Sequence, residues 1–503
     1  MLRFARNDED VPLVLVPRAF PKTKAKRRFR GGAAVAFLSF AMPVLAAKLP
    51  KLTPKAVLIT GATLVDGTGA APVPDAVVIL RGGKIDCAGS RRACPVPEGV
   101  AVDDARGTWI TPGVIDAHVH FSQTGWADGR PDALDVRKSH PYEQVEADLR
   151  SHPERFFRTD LCSGVTGVFD VGGYAWTLDL PKLAEEDPRA PHVSAAGPLL
   201  STLDHWLNLP AERQFMLLKD AESAKSEVSY LVSRGAQAVK VWYIVNKDLP
   251  VGASEPAVKA AGDEAAKLRL PLIVHATGLA EAKAALRSGA KMLVHSVDDA
   301  PVDSEFLELA KKNGTIYCPT LTVVSGYLRM YESADAKRGP EIDDPNRCVD
   351  PATRARVAET AALSSGVDAA RIGRMRDRVA RMGTFMGENL MAVKKAGIPI
   401  AMGTDAGNPL TLHGVSVYAE MEAMQKAGMT PMEVLVASTR GGSVAMRREK
   451  EIGTIEKGKI ADLLVVAADP TKDIANLRKL KSVVRGGMLR PVEELSAAIA
   501  AQK

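Results

Sequence analysis

The sequence predicts an α/β protein, a (β/α)8 TIM-like barrel with a small β-sandwich domain formed from N- and C-terminal segments. Three observations lead there. Eight short apolar runs alternate with helical patterns between residues 112 and 450, which is how a parallel sheet is written in sequence. Short β-like runs broken by turn residues fill residues 56–109 and resume after residue 451. The chain has 503 residues, long for a single core, which suits one large barrel with a smaller companion.

Taken in order, the chain begins with a leader. Lys22–Arg30 is cationic, Gly31–Met42 is apolar, and Pro43-Val44-Leu45-Ala46-Ala47 supplies small residues for cleavage. The apolar stretch is too short to span a bilayer. Residues 1–47 are therefore expected to be an export signal, which places the mature protein in the periplasm or outside the cell. This segment holds nine Lys/Arg and three acids; removing the nine from 66 and the three from 60 leaves 57 of each sign. The net charge of +6 thus belongs to the leader, and a nucleic-acid partner loses its support. At 46% hydrophobic and 25% charged residues, the whole chain has the composition of an ordinary soluble globular protein.

Residues 48–111 form the first part of the β-sandwich domain, with runs such as Val57–Thr60 and Ala76–Leu80. Cys87 and Cys94 flank a turn-like stretch, so an oxidising compartment would allow them to bridge. Cys318 and Cys348 form a second candidate pair, and Cys162 is expected as a buried thiol. The barrel, residues 112–450, takes its strands from 114–120, 165–170, 192–197, 238–242, 272–275, 292–295, 315–318 and 398–403. Residues 325–381 exceed what a barrel unit needs, and read as a lid or surface excursion. Residues 451–503 complete the β-sandwich domain.

In such a barrel the chemistry sits at the C-terminal ends of the strands. His118 and His120, at i and i+2 on one strand, project from one face and form half of a metal site. By itself such a pair is more often structural. His275 and His295 end two further runs, so four of the nine histidines end barrel strands. Lys240 lies on the fourth strand, and Asp405 follows the eighth.

With these residues, the run Gly113-Val114-Ile115-Asp116-Ala117-His118-Val119-His120, the run Gly403-Thr404-Asp405-Ala406-Gly407 and the stretch Gly453–Leu463, the chain resembles the amidohydrolase superfamily, in the branch of imidazolonepropionase-like proteins and metal-dependent prolidases. The resemblance covers residues 56–490. It implies two divalent metal ions: His118 and His120 on one, His275 and His295 on the second, and Asp405 on the first. The resemblance also implies a carbamylated Lys240 as the bridging ligand, since a lysine desolvated among dications loses its proton. The ligand set suits Zn, Mn or Co, with zinc the expected metal.

Such a centre brings the pKa of a water toward neutrality, and Asp405 would take its proton and pass it to the leaving amine. The expected activity is cleavage of an amide or peptide C–N bond in a dipeptide or N-acyl amino acid. His205 and Tyr243 are carried over as substrate-binding residues by analogy with prolidases, although Leu203-Asp204-His205 departs from the usual Gly-Gly-His. The remaining alternatives are a cyclic-amide hydrolase, a one-metal deaminase, against which Lys240 argues, and a non-catalytic scaffold, against which the complete ligand set argues. Expected partners are a small-molecule amide or dipeptide, with no stable membrane insertion and a homo-oligomer as an open alternative.

Overall fold

The structure, a computed structural model, describes residues 57–97, 102–205, 207–364, 366 and 368–501. The leader expected over residues 1–47 lies outside them. The fold is mixed α/β. Among the described residues, no helix is long and apolar enough to cross a membrane.

Two parallel sheets form its centre. The first is ordered Val114–Val119, Val165–Asp170, His192–Ala195. The second runs Phe215–Leu217, Leu199–Ser201, Val239–Trp242, Leu272–His275, Met292–Val294, Ile316–Cys318. Runs such as Leu-Ile-Val-His are buried at every position, the continuous apolar pattern that parallel strands covered on both faces require. Seven of the expected strands are present. The eighth, residues 398–403, is not a regular strand but is bonded on both sides. Tyr317 N–H donates to the Pro399 carbonyl at 2.8 Å, and Ala117 N–H donates to the Met402 carbonyl at 3.0 Å. The strands Leu199–Ser201 and Phe215–Leu217 were not expected, because three residues carry too little periodicity to register.

The helices between strands start and stop on local chemistry. Asp303 caps Ser304–Asn313 by accepting from Phe306 N–H, and Gly314 ends it with φ 61°, a conformation that favours glycine. The long insertion is built on the α-helices Val323–Asp335, Pro351–Ala358 and Ala369–Lys395, the first and last of which extend beyond it, and on the 3-10 turn Glu359–Ala362.

The terminal segments fold together. One sheet is ordered Lys84–Ser90, Ala76–Arg81, Val57–Thr60, Asp103–Asp104; the other is Met488–Pro491, Leu480–Arg485, Leu463–Val466, Trp109–Pro112, Thr63–Leu64. Leu463–Val466 runs antiparallel to Trp109–Pro112, so segments distant in sequence share one sheet. Ile59, Val78 and Leu80 of the first sheet pack in one core with Ile110, Leu463 and Val484 of the second.

The cysteines correct one expectation. Cys87 and Cys94 are bonded, but Cys348 pairs with Cys162, their Cα atoms 5.4 Å apart, and Cys318 is the buried free thiol. Cys318 ends an interior strand beneath Gly403, whereas Cys162 ends a helix that packs against the insertion.

Candidate active site

The six residues implied as metal ligands converge. His118, His120, Lys240, His275, His295 and Asp405 line one open cavity, joined on its wall by Gln123, Arg130, Leu199, Phe215, Trp242, Tyr327 and Asn408. Each comes from a strand end or the turn after it. In the ladders Lys240 pairs with Ile273 and Trp242 with His275, so Lys240, Trp242 and His275 share one sheet face.

His118 Nε2, His120 Nε2 and Asp405 Oδ1 meet within 3.2 Å of one another. The His120 Nδ1–H donates to the Gly172 carbonyl at 2.6 Å, which leaves the Nε2 lone pair facing the cavity. Three such donors directed at one point form a group that fits a divalent cation, and all three are buried. The His275 and His295 rings pack 4.4 Å apart, and His295 lies 5.0 Å from His118. His295 Nδ1 is 2.7 Å from Thr320 Oγ1.

Burial sets the electrostatics. It drives the His118 and His275 pKa values well below the ordinary imidazole value and that of His295 to about 3, which keeps these rings neutral with lone pairs available. Burial also brings the Lys240 ammonium down to about 7, with the Asp405 charge opposing. For Asp405 burial pushes upward, but the His120 hydrogen bond and the nearby Lys240 hold its pKa below the usual carboxylate value.

The backbone is shaped to the site. Asp405 and His295 take left-handed φ values of 65° and 74°, strain of the kind that collects at functional positions. Gly403 has no room for a Cβ, which would fall 2.5 Å from Cys318 Sγ and 2.8 Å from His118 Cβ. Asp116 braces the two halves of the site: it accepts from His118 N–H at 3.1 Å, Thr404 N–H at 3.0 Å and the Thr404 hydroxyl at 2.6 Å. Burial pushes its pKa up to about 7.

The structure separates the two suggested substrate residues from the wall. Tyr243 turns its hydroxyl to the Val251 carbonyl at 2.9 Å, and the neighbouring Trp242 lines the cavity. His205 stands behind the wall, its ring 4.8 Å from Phe215 and 5.2 Å from Trp242, its Nε2 3.8 Å from Asp132. Burial lowers its pKa to about 4 despite Asp132.

A polar wall was missed in the sequence. Arg130 donates through Nε and Nη2 to Asp132 at 2.8 Å each and through Nη1 to Asn408, which also accepts from the Tyr327 hydroxyl at 2.5 Å. Arg130 and Asp132 were findable, as charged residues in the loop after His120. Tyr327 was not, since it enters from the insertion.

Comparison with known proteins agrees with this geometry. Residues 109–489 match the amidohydrolase family. An imidazolonepropionase of Ralstonia nicotianae is 23% identical over 441 residues, 84% of this chain and 94% of that protein. One from Shouchella clausii is 43% identical over 81 residues; the match spans 16% of this chain and 18% of that relative. A crystal structure of a Xaa-Pro dipeptidase with bound methionine shares the fold, with a TM-score of 0.65 at 23% identity over 87% of this chain and all of that one. The chain belongs to the amidohydrolase family. It is a hydrolase acting on carbon–nitrogen bonds.

Proposed function

We propose that this chain is a binuclear metal-dependent amidohydrolase that cleaves the C–N bond of dipeptides or N-acyl amino acids. The observation that carries the reading is the convergence of His118, His120, Lys240, His275, His295 and Asp405 on one cavity. His118, His120 and Asp405 would hold one divalent ion and His275 and His295 a second, with Lys240, as a carbamate, completing the ligand set. Its neutral Nζ adds to CO2 with release of a proton, a step favoured by the lowered Lys240 pKa. Zinc ions bound there would supply Lewis-acid chemistry toward the scissile carbonyl and toward water. Asp405 takes the proton of the attacking water and delivers it to the departing amine, so that one amide and one water become an acid and an amine. Gly172 orients His120, and Thr320 orients His295.

In the same reading seven strands of the two parallel sheets and residues 398–403, which lie between Ile316–Cys318 and Val114–Val119, make one eight-stranded barrel, with Leu199–Ser201 and Phe215–Leu217 as additional short strands. The backbone bonds on both sides of residues 398–403 support this closure. The terminal sheets form a β-sandwich, as their shared core suggests. The leader pattern and the two disulfides favour an exported protein.

A second reading, hydrolysis of a five-membered cyclic amide, is favoured by the imidazolonepropionase relatives. The deciding experiment is a hydrolysis screen of dipeptides, N-acyl amino acids and hydantoins on metal-reconstituted protein, with Lys240→Ala as control. Turnover of linear amides that the control lacks is expected. Turnover of ring amides alone would favour the second reading, and inertness toward every amide with metal bound would overturn both.

A further inference from the structure

We infer that Leu199, Phe215 and Trp242 form a subsite for an aromatic or branched apolar substituent of the substrate. The inference rests on the amidohydrolase reading of this cavity and deepens it. Strand register carries the argument. Leu199 pairs with Phe215 and Ser201 with Trp242, while Leu199 and Ser201, two residues apart, share a face. Trp242 pairs in turn with His275, and Lys240, two residues before it, shares its face. The three apolar side chains therefore lie on the same sheet face as Lys240 and His275, and all of them line the cavity.

The aromatic packing is close. The Phe215 and Trp242 rings are 5.1 Å apart, and the indole is 6.1 Å from the His275 imidazole. A group laid against this wall is thus held beside the reacting centre. His205, packed behind both rings, fixes their orientation.

The polar residues of the lining do not compete for an apolar group. These residues are Gln123, Arg130, Asn408 and Tyr327, and the Arg130 charge is met by Asp132 through two 2.8 Å hydrogen bonds. Selection by size and apolar area therefore falls to the Leu199–Phe215–Trp242 side, where each buried carbon group strengthens transition-state binding.

The test uses metal-loaded protein and two matched series: N-acetyl-L-phenylalanine and N-acetyl-L-leucine against N-acetylglycine, and N-phenylacetylglycine against N-acetylglycine. In at least one series the larger member should show kcat/KM higher by about tenfold or more, mainly through KM. Trp242→Ala should bring that ratio toward one, and so should Phe215→Ala, which lies on the sheet-edge strand and can be made without opening the interior. Ratios near one in the unaltered enzyme would overturn the subsite and leave the amidohydrolase reading standing. If no amide turns over, calorimetry decides separately. Tighter binding of N-acetyl-L-phenylalanine than of N-acetylglycine, lost in Phe215→Ala, supports the subsite, and equal binding overturns it.

Discussion

Asp405 combines a left-handed backbone with a buried carboxylate set between two imidazoles. Such backbone strain costs about 1–3 kcal/mol and persists only where the surroundings fix it. Here Asp116 does so through its three hydrogen bonds to His118 and Thr404. Asp405→Asn keeps the shape and removes the proposed base, so kcat should fall by about 10²–10⁴-fold while the variant still binds part of the added metal. Kinetics beside metal analysis checks this; near-normal turnover would rule out the proton-transfer role. Asp116→Ala should destabilise the fold by about 1–3 kcal/mol for each donor left buried. Asp116→Asn, which keeps one acceptor oxygen, should cost less, and urea titration of the two variants separates them. At this scale the sequence is a good guide to residues whose chemistry is rare at strand ends, histidines and a lone lysine. It is silent about Asn408 and Tyr327, ordinary residue types whose place in the cavity wall is set only by the fold.

Among the elements, the insertion is where sequence reading reaches least far. Its length marks it as an excursion, but nothing in it announces that the helix Val323–Asp335 brings Tyr327 to the cavity or that Cys348 reaches Cys162 across 186 residues. A pairing over that distance depends on the assembled fold. The bond ties the insertion to the helix Glu154–Cys162, beside a core that includes Trp126, Met330 and Leu412. The Cys162→Ser/Cys348→Ser double variant should lose about 2–5 kcal/mol of stability to denaturant. Because Tyr327 rides on the tethered insertion, its KM for amides should rise more than its kcat falls. Unchanged stability in that variant would mean the loop is held by packing alone. The interior strands, by contrast, are legible because burial on both faces leaves only apolar residues able to fill them.

Across the whole molecule, a buried polar joint fastens the terminal sheets to the parallel ones. His192 lies 2.6 Å from Glu185 and 2.9 Å from Asp462, and Arg485 donates to the Ala190 carbonyl at 3.0 Å. Burial pushes the Asp462 pKa up, but the neighbouring His192 and Arg485 bring it below its ordinary 3.8. A carboxylate depressed in the fold stabilises fully above its unfolded pKa, and the stabilisation is lost as pH falls through the folded one. Acid unfolding below pH 4 should therefore be less steep in Asp462→Asn, as followed by circular dichroism; an identical acid limb would remove Asp462 from the account. The sequence showed a β-like run at each end of the chain but not that Leu463–Val466 lies against Trp109–Pro112, since partners are chosen by the fold and not by either run alone. That pairing has a consequence for synthesis. Trp109–Pro112 emerges from the ribosome roughly 350 residues before its neighbour, and for that interval one of its edges is unpaired and open to wrong associations. A nascent chain with this layout gains from a chaperone, or from being held unfolded, until translation has passed residue 466.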